Sequence, residues 1–251
     1  MDYKVEISAC IVLYNEPIEE LQKTIDSFLN IPLSKKLFLV DNSPKQNKNN
    51  FDHVDIEYLF NAKNIGFANA NNQVIRKING YSKYHLILNP DVVFSSEVIS
   101  KLISELKKDI NLAMIAPRAI YLDGSHQYTA RKYPSFFDLI IRRIPFFSKR
   151  KKEQEYQFQD LSKPFYPDFI HGCFMLFNTK DFIKLKGFDE RYFLYMEDVD
   201  ICKKIDELEK KKLYYPLVKV KHVKREGSSK KIKLLFYHFS SAIKYFLKWG
   251  F

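Results

Sequence analysis

Leu86-Ile87-Leu88-Asn89-Pro90-Asp91-Val92 is a short apolar run that stops abruptly at Asn-Pro-Asp. A run of this kind reads as a buried strand that delivers a carboxylate to the C-terminal edge of a sheet. Pro90 fixes its own φ, removes a backbone donor and biases Asn89 away from helix, so Asp91 sits on a rigid turn. Ligands of open α/β sheets bind just outside the carboxyl ends of strands. A hard divalent cation bridging phosphate oxygens takes oxygen ligands of the Asp91 type. The same tripeptide also suits a plain strand-to-helix turn with Asp91 as the cap. The rest of the chain has to decide.

Working outward, Val5 to Tyr14 reads as a first, central strand, stopped by Asn15-Glu16-Pro17. Ile18, Leu21, Ile25, Phe28 and Leu29 recur at helical spacing. Leu37 to Val40 and Ile56 to Phe60 are two further strands, and Ala68 to Ile78 reads as one helix. After the Asn-Pro-Asp turn, Ser95 or Ser96 can cap a helix whose apolar face is Ile99, Leu102, Ile103 and Leu106. Leu112 to Ala116 is another strand. Strands alternating with helices of this length predict an α/β fold, a mostly parallel central sheet flanked by helices.

Three strands of this half end in polar clusters: Tyr14-Asn15-Glu16, Asp41-Asn42-Ser43 and Asn89-Pro90-Asp91. There is neither a Gly-rich dinucleotide fingerprint nor a Gly-Lys-Ser/Thr phosphate loop, so bound phosphates would be neutralised by metal. Asp41 could accept from a base or a ribose hydroxyl, and Asn64 and Asn71 could hydrogen-bond a ligand. Each of these residues also suits ordinary Asx turns and caps.

From Ser125 to Phe165 the pattern breaks. Arg131, Tyr133, Phe136, Phe137, Arg142, Arg143, Phe146, Phe147 and Lys149 to Lys152 mix with three prolines. Such a segment is either a lid that meets an acceptor or a membrane surface, or a solvated insertion. Phe169 to Phe177 then reads as a single buried strand. A second chemical cluster follows, Glu197-Asp198-Val199-Asp200, opening a helix with Ile201, Ile205 and Leu208 on its apolar side. Acidic residues in a first turn favour the helix dipole. Tyr195 and Met196 just before them imply a partly dry site, where desolvation raises a carboxylate's pKa and makes it a useful base.

The 251 residues carry 41 Lys+Arg against 30 Asp+Glu, a formal charge of +11, which points to an anionic partner. Three widely spaced cysteines offer no disulfide framework, and a reducing compartment is expected. No signal peptide is visible and no apolar run approaches the roughly 20 residues that span a bilayer. The expectation is a cytoplasmic protein, peripheral on the inner face of the plasma membrane. From Lys219 to Phe251 there are nine Lys/Arg against one Glu, and Ile232, Leu235, Phe236, Phe239, Ile243, Phe246 and Leu247 form a stripe at helical spacing. A basic amphipathic helix reads as an interfacial anchor; the alternative is packing on the sheet or on a second subunit in a homodimer.

Asn15, Val40-Asp41-Asn42-Ser43, Asn64-Ile65-Gly66-Phe67-Ala68 with Asn71, Leu88-Asn89-Pro90-Asp91, Gly187-Phe188-Asp189-Glu190 and Glu197-Asp198-Val199-Asp200 occur in that order. The set resembles the family 2 inverting glycosyltransferases, in particular the rhamnosyltransferase-like branch. The resemblance implies a GT-A, Rossmann-like fold over residues 1–227, with a nucleotide-sugar half (1–117), an acceptor and catalytic half (118–227) and a C-terminal amphipathic helix (228–251). It implies a nucleotide-diphosphate sugar donor, dTDP-rhamnose-like or a UDP-sugar, with Mg²⁺ or Mn²⁺. Asn15, Asp41, Asn64, Gly66, Asn71, Asn89 and Asp91 would hold the donor, with Asp91 and His222 at the metal. Asp198 would be the general base, Glu197 would orient a sugar or acceptor hydroxyl, and Asp200 would be structural. Asn89 stands where many glycosyltransferases have an Asp, which removes one charge from the metal site. The acceptor would be a glycan, polyprenyl-linked, as in bacterial surface polysaccharide synthesis at an anionic membrane. The other readings are a basic nucleic-acid binder, for which no binding fold is visible, and a non-catalytic homologue that binds nucleotide sugars.

Overall fold

The computed structural model describes residues 3–46, 51–141, 148–223 and 232–250. Arg142, Arg143, Phe146 and Phe147, and the basic residues from Lys224 to Lys231, lie outside the described residues. The N-terminal half alternates as the hydrophobic pattern predicts. β1 (Val5–Leu13) is followed by α1 (Ile18–Leu29), β2 (Lys35–Asp41) and β3 (Ile56–Phe60). Two short helices, α2 (Phe67–Asn72) and α3 (Ile75–Ile78), lead into β4 (Ser82–Leu88) and the two-residue β5 (Val92–Val93). Then come α4 (Glu97–Leu106) and β6 (Leu112–Ile120). The second half holds β7 (His126–Gln127), β8 (Ala130–Arg131), α5 (Phe136–Ile141), α6 (Ser148–Gln154), β9 (Phe169–Ile170), β10 (Phe174–Asn178) and α7 (Thr179–Lys184). The helix α8 (Glu197–Glu207), β11 (Lys211–His222) and α9 (Ile232–Trp249) complete the described residues.

The main sheet has the order β3-β2-β1-β4-β10-β6-β11-β5, with β7 paired to β6. β3, β2, β1 and β4 run parallel, β11 runs parallel to β6, and β10 runs against both β4 and β6. The sheet is therefore mixed: its N-terminal four strands are parallel, as the strand–helix alternation implies, while β10, β5 and β7 run against their neighbours. Its apolar strands are buried on both faces. Leu37, Leu39, Leu86, Leu88 and Leu176 pack against α1 and α4, and Phe38, Val40, Ile87, Met175 and Phe177 pack on the other face with α2 and α8. At roughly 25 cal/mol per Å² of apolar area, this double burial dominates the folding free energy.

Three elements differ from the sequence reading. Phe169 to Phe177 is not one strand: β9 pairs with β8 in a small separate sheet, and the chain breaks at His171-Gly172-Cys173 before β10 joins the main sheet. Ala68 to Ile78 is two helices, interrupted at Gln73 and Val74. The segment from Ser125 to Phe165 is not purely irregular. Glu155 is buried and paired with Arg131 at 2.8 Å, and Phe165 bridges to Tyr214. Glu155 and Phe165 thus pack against the fold, whereas α6 (Ser148–Gln154) buries no residue.

The stripe expected on α9 is divided. Phe246 is buried together with Ser241, Ala242 and Tyr245, which dock the helix on the domain, whereas Ile232, Leu235, Phe236, Phe239, Ile243 and Leu247 are exposed. No described helix is long and apolar enough to cross a membrane.

Candidate active site

β4 ends at Leu88, and the chain turns through Asn89 and Pro90 to Asp91. The turn is fixed from several sides. Asn89 N–H donates to the Cys173 carbonyl at 2.9 Å, Thr24 Oγ1 donates to the Pro90 carbonyl at 2.8 Å, and Val223 N–H donates to the Asp91 carbonyl at 3.0 Å. The Asp91 side chain is largely buried and its Oδ1 lies 3.4 Å from His222 Nε2. His222 Nδ1 is 2.8 Å from Gln127 Oε1, so both ring nitrogens face acceptors. Burial opposes the charge on His222, but the Cys173 sulfur and the Asp91 carboxylate outweigh it, and its pKa is raised to about 10.

The second carboxylate sits at the opposite end of the same short segment. Asp198 Oδ2 accepts from Gly172 N–H at 3.2 Å and lies 3.3 Å from His171 Nδ1; Oδ1 accepts from Val199 N–H at 2.9 Å. Burial pushes the Asp198 carboxyl up, but the His171 hydrogen bond and charge and the two amides prevail and hold it below the ordinary Asp range. Its neighbour Glu197 goes the other way. Burial, then the Asp198 charge, raise it well above a normal Glu, and its buried Oε2 has no hydrogen-bond partner. The sequence reading expected desolvation to raise the base; the amides and imidazole around Asp198 reverse that sign, and the raised acid is Glu197.

Tyr195 and Met196, immediately before this helix, both have φ of 70°, a left-handed pair that bends the chain sharply into α8. Asp200 is fully buried and accepts from Tyr192 Oη at 3.1 Å, Lys248 Nζ at 2.7 Å and Trp249 Nε1 at 2.8 Å, all on Oδ1. That environment suits the structural role expected of it.

Of the residues expected at the nucleotide, Asn15 and Asp41 lie at the ends of β1 and β2. Asn15 has φ of 55° and its amide donates to Ser43 Oγ at 2.8 Å. Asp41 is buried and accepts from Tyr58 Oη at 2.5 Å and Ser43 N–H at 2.8 Å. Exposed Asn64 closes an Asx turn onto Gly66 N–H at 2.9 Å. Gly66 itself has φ of 89°, and a Cβ there would lie 2.6 Å from the Phe193 carbonyl oxygen. This close approach joins the loop to the chain preceding α8, with Phe67 N–H donating to the same Phe193 oxygen at 2.9 Å. Asn71 is fully buried and donates to the Phe67 carbonyl at 3.0 Å, bracing α2 from within, while its buried Oδ1 has no partner among the described residues.

His171 is the residue that sequence reading missed. It lay unremarked within an apolar run, although a His-Gly step inside such a run signals a break or a close backbone approach. On the β5–β11 edge, Lys101, Arg118, Lys219 and Lys221 line an open cavity of about 800 Å³ that contains none of the residues above.

Residues 8–185 match the sequence model of Glycosyl transferase family 2. The chain belongs to glycosyl transferase family 2. Among curated relatives, Rhamnosyltransferase WbbL of Escherichia coli (strain K12) is 29% identical over 55% of this chain and 53% of its own length. The N-acetylglucosaminyl-diphospho-decaprenol L-rhamnosyltransferase of Mycobacterium tuberculosis is 24% identical over 71% of this chain and 62% of its own. Low-salt glycan biosynthesis hexosyltransferase Agl10 of Haloferax volcanii is 26% identical over 76% of this chain and 59% of its own. This family 2 chain thus spans little more than half the length of those relatives. GalNAc-T7, solved with UDP, GalNAc and Mn²⁺, superposes with a TM-score of 0.65 over 88% of this chain and 43% of its own, at 16% identity. The mannosyltransferase PcManGT of Pyrobaculum calidifontis, solved with GDP-Man and Mn²⁺, gives 0.60 over 96% and 65%, also at 16% identity. The fold is GT-A.

Proposed function

We propose that this family 2 chain transfers a sugar from a nucleotide-diphosphate donor to a hydroxyl of a glycan acceptor, with inversion. One observation carries the reading. Gly172 holds Asp198 through its amide, and the next residue, Cys173, holds the Asn89-Pro90-Asp91 turn through its carbonyl. Two carboxylates far apart in sequence are thereby tied to consecutive residues.

The division of labour follows from charge. Asp41, Asn15 and the Asn64–Gly66 turn form the nucleotide end, and Asp91 with His222 forms the diphosphate end. Among the described residues no three His, Cys, Asp or Glu side chains converge as a metal cage. One carboxylate shared with substrate phosphates is how Mg²⁺ is commonly bound, and an imidazole beside it suits Mn²⁺, so Asp91 and His222 fit such an ion once His222 gives up its proton. When bound, the ion would neutralise charge on the departing diphosphate. His222 in its protonated state offers a positive N–H to the same oxygens. At the Gly172 end, the ionised Asp198 drives removal of the acceptor proton, so that attack is in line. Glu197, kept neutral by burial, would orient a hydroxyl by donating to it.

The rhamnosyltransferase relatives favour a dTDP-rhamnose-like donor, with UDP-sugars as the next class, and the mycobacterial relative's acceptor points to a polyprenyl-diphosphate-linked glycan. The exposed apolar stripe of α9 and the basic tail would rest on an anionic membrane holding that acceptor, on the cytoplasmic side, in surface polysaccharide synthesis. A donor panel of dTDP-rhamnose and UDP-hexoses with Mg²⁺ or Mn²⁺, and polyprenyl-diphospho-N-acetylglucosamine as acceptor, tests this. Release of the free nucleotide diphosphate, dependent on acceptor, is expected; no release from any donor would end the transferase reading.

A further inference from the structure

Strand β11 is irregular where it passes Pro216-Leu217-Val218. Tyr215 stands opposite Pro117 of β6, yet the next residue of β6, Arg118, stands opposite Lys219, so Pro216, Leu217 and Val218 bulge out of the pairing. Pro216 has no N–H to give a neighbouring strand, and a bulge is where a sheet tolerates it. The bulge sets the register beyond it. Arg118 comes to lie beside Lys219, and two residues further along Ile120 lies beside Lys221, on the same face. All four line the open cavity of about 800 Å³ on this edge of the sheet. Pro216 and Leu217 give it an apolar wall, and Glu97 and Val98 bring the first turn of α4 against it.

The charge around this cavity is one-sided. Lys101 is paired with Glu97 at 2.9 Å, and Asp123, in the turn beside Gly124, accepts from the Ser125 amide at 2.8 Å and hydroxyl at 2.6 Å. Arg118, Lys219 and Lys221 have no carboxylate at ion-pair distance among the described residues, and the buried Arg118 Nε has no hydrogen-bond partner there. A guanidinium drawn from water without an acceptor is costly, and phosphate oxygens match its donor fork. The positive end of the α4 dipole adds to the same potential. Successive strand residues face opposite sides, so Lys221 stands on the other face of β11 from His222.

We propose that the cavity between β11 and α4 is a second anion site, which takes the phosphate or diphosphate group of an organic ester and rests its apolar part on Pro216 and Leu217. Arg118 is the anchor, and Lys219 and Lys221 meet the remaining oxygens. The site is separate from Asp91 and His222, and its occupancy requires no sugar transfer. A soluble phosphate ester and a lipid headgroup carry the same group.

Calorimetric titration of the full chain with pyrophosphate in metal-free buffer is the first test. Binding is expected in the wild type and should weaken by about tenfold or more in Arg118→Gln. Arg118 is half-buried, so the exposed pair Lys219→Gln/Lys221→Gln is the second variant; it should weaken binding about threefold or more at an unchanged melting temperature. His222→Gln should bind as the wild type does. Binding that survives in both cavity variants would overturn the proposal, and its loss in His222→Gln would move the anion to the Asp91 end. Flotation with phosphatidylcholine vesicles containing phosphatidic acid separates the sources, in a Phe236→Ser/Phe239→Ser background that removes the outward face of α9. Capture that disappears with Lys219→Gln/Lys221→Gln identifies a lipid headgroup, and pyrophosphate binding without capture identifies a soluble ester. Neither pyrophosphate binding nor cavity-dependent capture would refute the site. None of these readouts involves sugar transfer, so the anion site and the transferase reading can fail independently.

Discussion

Trp249 donates its indole N–H to the buried carboxylate of Asp200 at 2.8 Å, across 49 residues of chain. The contact joins the last turn of α9 to the first turn of the helix that bears Asp198. Lys248 Nζ reaches the same oxygen and also Asp189, while Ser241 Oγ donates to the Leu194 carbonyl and Lys244 to that of Arg191. The C-terminal helix is thereby a brace on the loop from Asp189 to Met196. Trp249→Phe removes a donor to a charged, fully buried acceptor and should cost about 1.5–3 kcal/mol. Thermal or denaturant unfolding checks this, and an unchanged midpoint would show that the brace carries no stability.

The outward side of the same helix makes a separable prediction. Phe236 is 68% exposed and Phe239 57%, and neither belongs to the buried set of Ser241, Ala242, Tyr245 and Phe246. Replacing both by Ser should abolish sedimentation with vesicles containing anionic phospholipid while leaving the melting temperature within a degree or two. Deleting the helix would be a poorer test, because it would also remove the donors to Asp200. Retention of vesicle binding by the double variant would take the membrane role away from this face.

Glu197 gives a pH signature of known sign. Its folded pKa lies above the unfolded value of about 4.3, so between those two values the native state binds the extra proton. Stability from this group is therefore present at acid pH and lost as pH rises through the folded pKa. Glu197→Gln should melt close to wild type near pH 4 and progressively above it toward pH 8. A gap that closes with rising pH would contradict the assignment.

Gly66 is the backbone position with the least tolerance. Its φ of 89° and ψ of 162° belong to glycine almost alone, and a Cβ would meet a backbone oxygen at 2.6 Å. Gly66→Ala should cost about 1–3 kcal/mol through strain and displacement of the Phe193 segment. The loss should register in unfolding midpoints and as a raised KM for the donor. An alanine variant with wild-type values for both would mean that the two loops are not coupled.

Much of this was legible in the residues. The N-terminal strands and helices follow from apolar runs and helical spacing because each run is bounded by its own turn chemistry. The break at His171-Gly172-Cys173 was not legible, since Phe169 to Phe177 is continuously apolar and neighbouring strands in different sheets leave the same pattern. The burial of Asn71 was not legible because an asparagine that bonds its own helix and one on the surface look alike in sequence. The seven apolar positions of α9 gave the helix but not its orientation. Ser241, Ala242 and Tyr245 made the docking face, and small or amphipathic residues are silent in a hydrophobic count. The sign of the Asp198 shift needed the amides of Gly172 and Val199, which no residue identity announces.

Because β10 runs against β4, with Phe174 opposite Leu88, the returning chain enters the sheet at the very edge where β4 leaves it. The span between Asp91 and Asp198 is therefore set by a crossing point inside the sheet and not by the excursion from Tyr121 to Asp168. Beyond Thr129 and β8, which pair with the chain beside Asp198, that excursion can change length and composition while the two carboxylates keep their separation. A lineage built on this plan can trade one acceptor for another in its outer loops without rebuilding the machinery beneath them.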